Sequence, residues 1–171
     1  MLVEGGNSTL INCTVYETHS GITIKSGELN IDGGTYDGYS HGGVYLGNGN
    51  CNSYIRNAKI QEVDLRGEGM YDDGVAGTNH AGMYVEGTSY MKIYMDNCEI
   101  YGLQQPIVLK FSSSSSHSNC LYVSNSSINL DYTNYGVRND GSNEIVFGKG
   151  NNFNEDNLRY KRNYTHTEDE Y

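Results

Sequence analysis

Three histidines recur at one position of a repeated pattern. His19, His41 and His80 each stand two residues before a glycine and an alternating apolar run, in "HSGITI", "HGGVYL" and "HAGMYV". Imidazoles stacked in this way could share a metal ion or supply a general base. The equivalent positions farther along hold Gln104 and Asn134. The alternative explanation for the recurring histidines is structural. At this turn the chain would need only a side chain that can hydrogen-bond along the stack.

A segment rich in charged side chains ends at the third of these histidines. Residues 61–80 contain Glu62, Asp64, Arg66, Glu68, Asp72 and Asp73. Two carboxylates at a suitable separation can hydrolyse a glycosidic bond. The sequence therefore predicts a functional edge here, with Asp72, Asp73, His41 and His80 as candidate catalytic residues. A solvated acidic loop is the alternative.

Composition and charge narrow the choice of partner. The chain has 171 residues and a net charge of −10, which disfavours a nucleic-acid partner because phosphate binding needs clustered Lys and Arg. No segment is long enough to span a membrane, and the first residues do not form a secretory signal. The cysteines, Cys13, Cys51, Cys98 and Cys120, form no CxxC motif, which disfavours a zinc ribbon.

Two short motifs repeat in phase along the chain, and their repetition positions these groups. In the first, an apolar run is followed by a pivot residue, a small residue, any residue and a large apolar one; its pivots are Asn12, Gly33, Asn57, Asn97 and Asn125. In the second, the pivot precedes an alternating apolar run; its pivots are Gly21, Gly43, Gly82, Pro106 and Gly136. A unit of about 22–25 residues with two insertions explains both series. Each unit contains apolar residues with a period of two, which indicates short strands with one buried face. Three strands per unit form one coil of an all-β solenoid, and the chain is long enough for five to six coils.

The "N-x-x-I … G-I-x-I" units over roughly residues 8–153 resemble the right-handed, single-stranded parallel β-helix of the pectin-lyase-like superfamily. Its members are mostly polysaccharide lyases, glycoside hydrolases, epimerases, adhesins and phage tailspikes. The resemblance implies that an active enzyme would hold Ca²⁺ with Asp64, Asp72 and Asp73 and would use Arg66 as a base. This enzyme would also use a histidine, His41 or His80, that lies on the same edge of the coil.

Equivalent positions in successive coils become ladders in such a fold. Tyr54, Tyr94 and Tyr122 then form an outward strip, and Tyr45 and Tyr84 form an outward pair. Sugar rings have apolar faces that pack on aromatic rings, so these tyrosines are predicted to bind substrate. The alternative is that tyrosine is simply a favourable strand residue.

Three further expectations concern the corners of the coil. The pivot asparagines should stack with their amides bonded from coil to coil. An outward row of Asp32, Arg56 and Asp96 should form surface ion pairs. Cys13 and Cys98 should lie roughly 14 Å apart by the stacking rise, too far for a disulfide, whereas a Cys51–Cys120 bridge is left open.

The repeat also predicts the organisation of the domain. Residues 1–153 should form the β-helix, with inserted loops at 61–80 and 111–119, and residues 154–171 should be a polar tail or cap. The first coil lacks an amphipathic cap, so we expect a fragment of a longer chain, or a homo-oligomer or partner that covers this end.

The predicted function is that of a protein outside the cell, on a cell surface or on a virion that binds polysaccharide. As an enzyme it would be a lyase or a glycoside hydrolase. A carbohydrate-binding or adhesin module without catalysis, and a structural rod in an oligomeric assembly, are the alternatives.

Overall fold

The computed structural model describes residues 1–18, 20–38, 42–47, 51–62, 81–87, 91–102, 105–111, 120–130, 137–140, 144–152, 158–159 and 164–167. These residues contain fifteen strands and no helix, and hence no helix that could cross a membrane. All the pairings between the strands are parallel. The prediction of an all-β parallel β-helix is confirmed.

The strands form three faces. The first two strands, β1 (Leu2–Thr18) and β2 (Ile22–Gly38), each pass through all three. The first face continues with β3 (Val44–Leu46), β6 (Ala81–Gly87), β9 (Gln105–Phe111), β12 (Val137–Asp140) and β14 (Leu158–Arg159). The second face continues with β4 (Cys51–Arg56), β7 (Met91–Asp96), β10 (Cys120–Ser124), β13 (Glu144–Phe147) and β15 (Tyr164–His166). The third face continues with β5 (Lys59–Glu62), β8 (Glu99–Gly102) and β11 (Ser127–Leu130).

The coil makes about four turns, a minor difference from the five to six coils predicted. On the third face, a single bridge from Ser127 to Asn152 follows β11 in the described chain. The other two faces continue in the C-terminal segment, because β14 pairs with β12 and β15 pairs with β13.

The core lies inside the coil and follows the period of two in the sequence. On the second face, the inward column contains Ile31, Ile55, Met95, Val123 and Phe147, all at most 2% exposed. On the third face, Tyr36, Ile60 and Ile100 form the corresponding buried column. Each residue of a column packs on its counterparts one coil above and below, so stability comes mainly from contacts between neighbouring coils.

The repeated glycines mark places where the backbones of the coil approach closely. A Cβ atom on Gly21 would lie 2.3 Å from the carbonyl oxygen of Gly43. A Cβ on Gly43 would lie 1.9 Å from the carbonyl oxygen of Tyr36, and one on Gly82 would lie 2.2 Å from that of Tyr101. No side chain fits at these three positions, which explains the recurrence of glycine there; the equivalent position in β9 holds Pro106.

The predicted asparagine ladder is present at the corner between the second and third faces. Asn12, Asn57, Asn97 and Asn125 have φ angles of 50°, 55°, 50° and 48°, a left-handed conformation that asparagine tolerates better than most residues. Asn57 Nδ2 donates to Asp32 Oδ1 at 2.7 Å, and Asn97 Nδ2 donates to Asn57 Oδ1 at 2.8 Å. Each bond joins an asparagine to the coil that precedes it.

Replacing Asn97 separates its two roles at the corner, which are the hydrogen bond between coils and the left-handed φ angle. We expect Asn97→Ala to lower the free energy of unfolding by about 2 kcal/mol, because it loses the amide bond and keeps an unfavourable φ. Asn97→Gly loses the bond without the conformational cost, so we expect a loss of about 1 kcal/mol. Urea denaturation of the two variants measures the difference, and equal losses would show that the φ angle contributes nothing.

Candidate carbohydrate-binding face

The histidine-rich edge falls outside the part of the chain that can be described. His19, His41, His80, Asp64, Arg66, Asp72 and Asp73 all lie in segments without described structure. Their predicted catalytic and calcium-binding roles therefore stay predictions. Elsewhere, residues with described structure form no group of three or more His, Cys, Asp or Glu that could hold a metal ion.

Asp37 is the described residue that leads into this edge, since it lies near the end of β2, four residues before His41. Burial raises the pKa of its carboxyl group, and a hydrogen bond with Gln61 and the charge of Lys59 partly offset that increase. A partly buried carboxyl group with a raised pKa is a common feature of functional sites.

The predicted tyrosine strip is present on the second face. Register places Tyr54 opposite Tyr94 and Tyr94 opposite Tyr122. The centroids of the first pair are 5.1 Å apart with 5° between the ring planes, and those of the second pair are 4.6 Å apart with 6°. All three side chains are half-buried. We call this set the tyrosine row.

The stacking changes what the tyrosine row can offer to a ligand. Each ring uses its faces for contacts with the ring above or below, so ring edges dominate the outer surface. The guanidinium of Arg56 lies 5.9 Å from the centroid of Tyr54, at the start of the row, within the range of a cation–π contact. The row therefore resembles a rigid ridge of phenol groups more than a series of flat platforms.

Two polar rows flank the tyrosine row on the same face. One contains Glu28, Asn52, Lys92, Cys120 and Glu144, and the other contains Asp32, Arg56, Asp96 and Ser124. The second row was predicted to form ion pairs, and that prediction is wrong. The described residues have salt bridges only between Lys25 and Glu4 at 2.9 Å and between Lys59 and Glu99 at 4.0 Å.

The carboxylates of the second polar row instead accept hydrogen bonds from the corner. Asp32 accepts from Asn57, and Asp96 accepts from Asn125 Nδ2 and Ser124 Oγ, both at 2.8 Å. The amides are closer to these carboxylates than the guanidinium of Arg56 is. Arg56 is exposed, so its guanidinium remains accessible beside the tyrosine row.

The predicted outward pair on the first face is stacked, with Tyr45 half-buried and Tyr84 buried. The rings of Tyr45 and Tyr84 are 5.6 Å apart with 7° between their planes. Tyr84 is only 1% exposed and belongs to a small apolar cluster with Ala81 and Val108, outside the main core. Tyr84 is therefore not exposed in this structure, and the sugar-binding role predicted for the pair stays a prediction.

The hydroxyl group of Tyr45 is used in a hydrogen bond to a neighbouring carboxylate. Its hydroxyl donates to Glu86 Oε2 at 3.0 Å. Burial, together with this hydrogen bond and the negative charge of Glu86, raises the pKa of Tyr45 to about 12. The phenol stays neutral at physiological pH and serves as a donor that holds Glu86 in place.

A buried thiol, that of Cys120, lies beside the tyrosine row. Cys120 is 6% exposed and its thiol donates to Glu144 Oε2 at 3.8 Å. Burial raises the pKa of Cys120 to about 11, and hydrogen bonding to Cys120, followed by burial, raises the pKa of Tyr122. Cys120 is a free thiol, so the Cys51–Cys120 bridge that the sequence left open does not form.

The corner itself forms a shallow polar groove of about 390 Å³. Its lining includes the ladder residues Asn57, Asn97 and Asn125 together with Lys59 and Glu99. Cys98 lies beneath it, and burial raises the pKa of this thiol to about 11. Because the asparagine amides are used in bonds between coils, few donors remain for a ligand, and the tyrosine row is the stronger candidate.

The comparisons with known proteins add no assignment to this geometry. No protein-family profile matches the chain, and no curated protein and no solved structure matches it.

Proposed function

We propose that this chain is a β-helix protein of the pectin-lyase-like type that binds polysaccharide outside the cell, on a cell surface or on a virion. The tyrosine row is the proposed binding surface. The observation that supports this proposal is the register of Tyr54, Tyr94 and Tyr122, which are stacked on three successive coils and remain half-exposed.

Rigid phenol groups are well suited to a ligand that is both apolar and rich in hydroxyl groups. Tyrosine supplies a large amphipathic contact area, and its side chain loses little conformational entropy on binding. Stacking between neighbouring rings restrains these side chains before a ligand arrives, which further reduces the entropic cost. The ring edges would contact sugar C–H groups while the hydroxyls exchange hydrogen bonds with sugar hydroxyls.

The direction of the tyrosine row selects an extended polymer. The row runs along the coil axis with ring centroids 4.6 to 5.1 Å apart. A chain lying along the axis would meet an equivalent contact at each coil, and Lys92 and Arg56 would reach it from the two flanking rows. A short sugar would gain only one such contact, so we expect affinity to increase with polymer length.

Catalysis is a separate part of the proposal. Cleavage would depend on Asp72, Asp73, Arg66, His41 and His80, and a Ca²⁺ requirement would depend on Asp64, Asp72 and Asp73. Binding by the tyrosine row does not require cleavage. A binding or adhesin module would retain the row and show no turnover of labelled polysaccharide.

The central ring of the row gives the most informative substitution. We expect Tyr94→Ala to weaken polysaccharide binding about tenfold, which corresponds to about 1.4 kcal/mol. The substitution removes one contact with the ligand and also the ring on which Tyr54 and Tyr122 both stack. Tyr94→Phe keeps the stack and loses one hydroxyl, so we expect a smaller loss. Affinity electrophoresis against a panel of neutral and acidic polysaccharides, followed by calorimetry with the best ligand, measures both effects.

Tyr101→Ala is the matched control, because Tyr101 is a half-buried tyrosine on the third face. It should leave binding unchanged. Equal losses from Tyr94→Ala and Tyr101→Ala would contradict a specific role for the row. The absence of binding to every polysaccharide in the panel would overturn the proposed function itself.

A further inference from the structure

The edge of β1 is an extended apolar surface that is separate from the tyrosine row. Three large apolar side chains on this strand are well exposed: Leu2 by 55%, Ile11 by 65% and Tyr16 by 60%. The inward residues Leu10, Cys13 and Val15 are only partly buried, although they pack on the main core. Among the described residues β1 pairs with β2 alone, so no described strand satisfies the backbone groups of its other edge.

This edge is also poor in charge. The chain carries a net charge of −10, yet Glu4 and Glu17 are the only charged side chains between Leu2 and Thr18. Glu4 is paired with Lys25 at 2.9 Å. β1 lacks the lysines and prolines that commonly protect an exposed strand edge. Two copies of this acidic protein would therefore meet little charge repulsion at this surface.

The inward pattern of β1 is symmetric about Thr9. Register with the buried residues of β2 shows that Val3, Ser8, Leu10 and Val15 point inward. Reversing the strand about Thr9 exchanges Val3 with Val15 and Ser8 with Leu10, so these four inward residues meet one another, and Cys13 meets Gly5. An antiparallel copy of the same strand can therefore continue the apolar columns of the core.

The outward residues and the corners follow the same symmetry. Tyr16 meets Leu2, so two of the most exposed apolar side chains cover each other. Glu4 meets Thr14, and no two carboxylates face each other in this register. Asn12 at one corner meets Gly6 at the other, where φ is 77°, so the left-handed corners of the two copies coincide.

The amide of Asn12 supports a partner at this level. A Cβ on Gly33 would lie 2.1 Å from Asn12 Oδ1, and a Cβ on Gly150 would lie 2.3 Å from Asn125 Oδ1. Both asparagines thus direct their oxygen toward the following coil. Asn125 directs Nδ2 toward the preceding coil, where it bonds to Asp96. By the same geometry Asn12 Nδ2 points out of the β1 edge, toward the backbone carbonyls at Gly5 and Gly6 of a second copy.

We propose that two copies of this chain associate through their β1 edges as an isologous dimer, with the strands antiparallel and Thr9 on the two-fold axis. The interface extends the stack of coils that already holds each chain together. A head-to-tail assembly is less well matched, because in the described residues the opposite end has strands on the first and second faces but only a single bridge on the third.

Analytical ultracentrifugation over a wide concentration range tests this proposal. We expect the unaltered protein to sediment as a dimer. Tyr16→Lys combined with Leu2→Lys places like charges opposite each other across the axis, and so does Tyr16→Glu combined with Leu2→Glu. Each double variant should raise the dissociation constant at least tenfold, and a mixture of the two should restore a 1:1 dimer.

The positions in both double variants are exposed, so circular dichroism should show intact β structure in each. Asn52→Lys, on an exposed position of the second face, should leave the dimer unchanged. A monomer at all concentrations would overturn the proposal. So would an open-ended series of larger species, or a dimer that survives in each double variant alone.

Discussion

Gly82→Ala is expected to lower the free energy of unfolding by about 3 kcal/mol. The added Cβ would lie 2.2 Å from the carbonyl oxygen of Tyr101 and 3.1 Å from that of Pro106. Both obstacles are backbone atoms in strands that are paired on the neighbouring coils, so neither can rotate away as a side chain would. The steric clash can be relieved only if one coil shifts against another. Urea denaturation followed by circular dichroism measures the loss.

Gly6→Ala separates this steric cost from the cost of an unusual φ. A Cβ on Gly6 would have no neighbour within 4 Å, but the residue has a φ of 77°. We expect a loss of about 1 kcal/mol from conformation alone. If Gly82→Ala cost no more than Gly6→Ala, close backbone approach would not be the reason for the repeated glycine.

Ile55→Ala is expected to cost a similar amount, about 3 kcal/mol. Ile55 is fully buried and lies opposite Ile31 in one direction and Met95 in the other. Truncation leaves a cavity between two coils that are held in register by backbone hydrogen bonds, so the walls cannot close around it. The midpoint of urea denaturation should decrease while its slope stays the same, because the unfolded chain exposes nearly the same area.

Asn52→Ala is the control on the same strand, since Asn52 is exposed and points away from the core. Its effect should stay within about 0.5 kcal/mol. A loss from Ile55→Ala as small as that of Asn52→Ala would mean that the inward column does not hold the coils together.

The repeat alone determined the architecture. A period of two within each unit identified which residues point inward, and Ile31, Ile55, Met95 and Val123 are buried as expected. The pivot asparagines identified a corner that needs a left-handed residue, and their φ angles agree. Such features could be predicted because a coil repeats its neighbour, so each position is sampled several times in the sequence.

The accessibility of the candidate site was decided by tertiary structure. Tyr84 and Tyr94 are both outward tyrosines with a stacked neighbour, yet Tyr84 is covered and Tyr94 is half-exposed. The partners of Asp32 and Asp96 also could not be predicted from charge, because corner amides approach these carboxylates more closely than Arg56 does. The insertion that ends at His80 interrupts the repeat, so periodicity cannot position Asp72 or Asp73. Alternation specifies the direction of a side chain, whereas only the packed chain specifies what covers it.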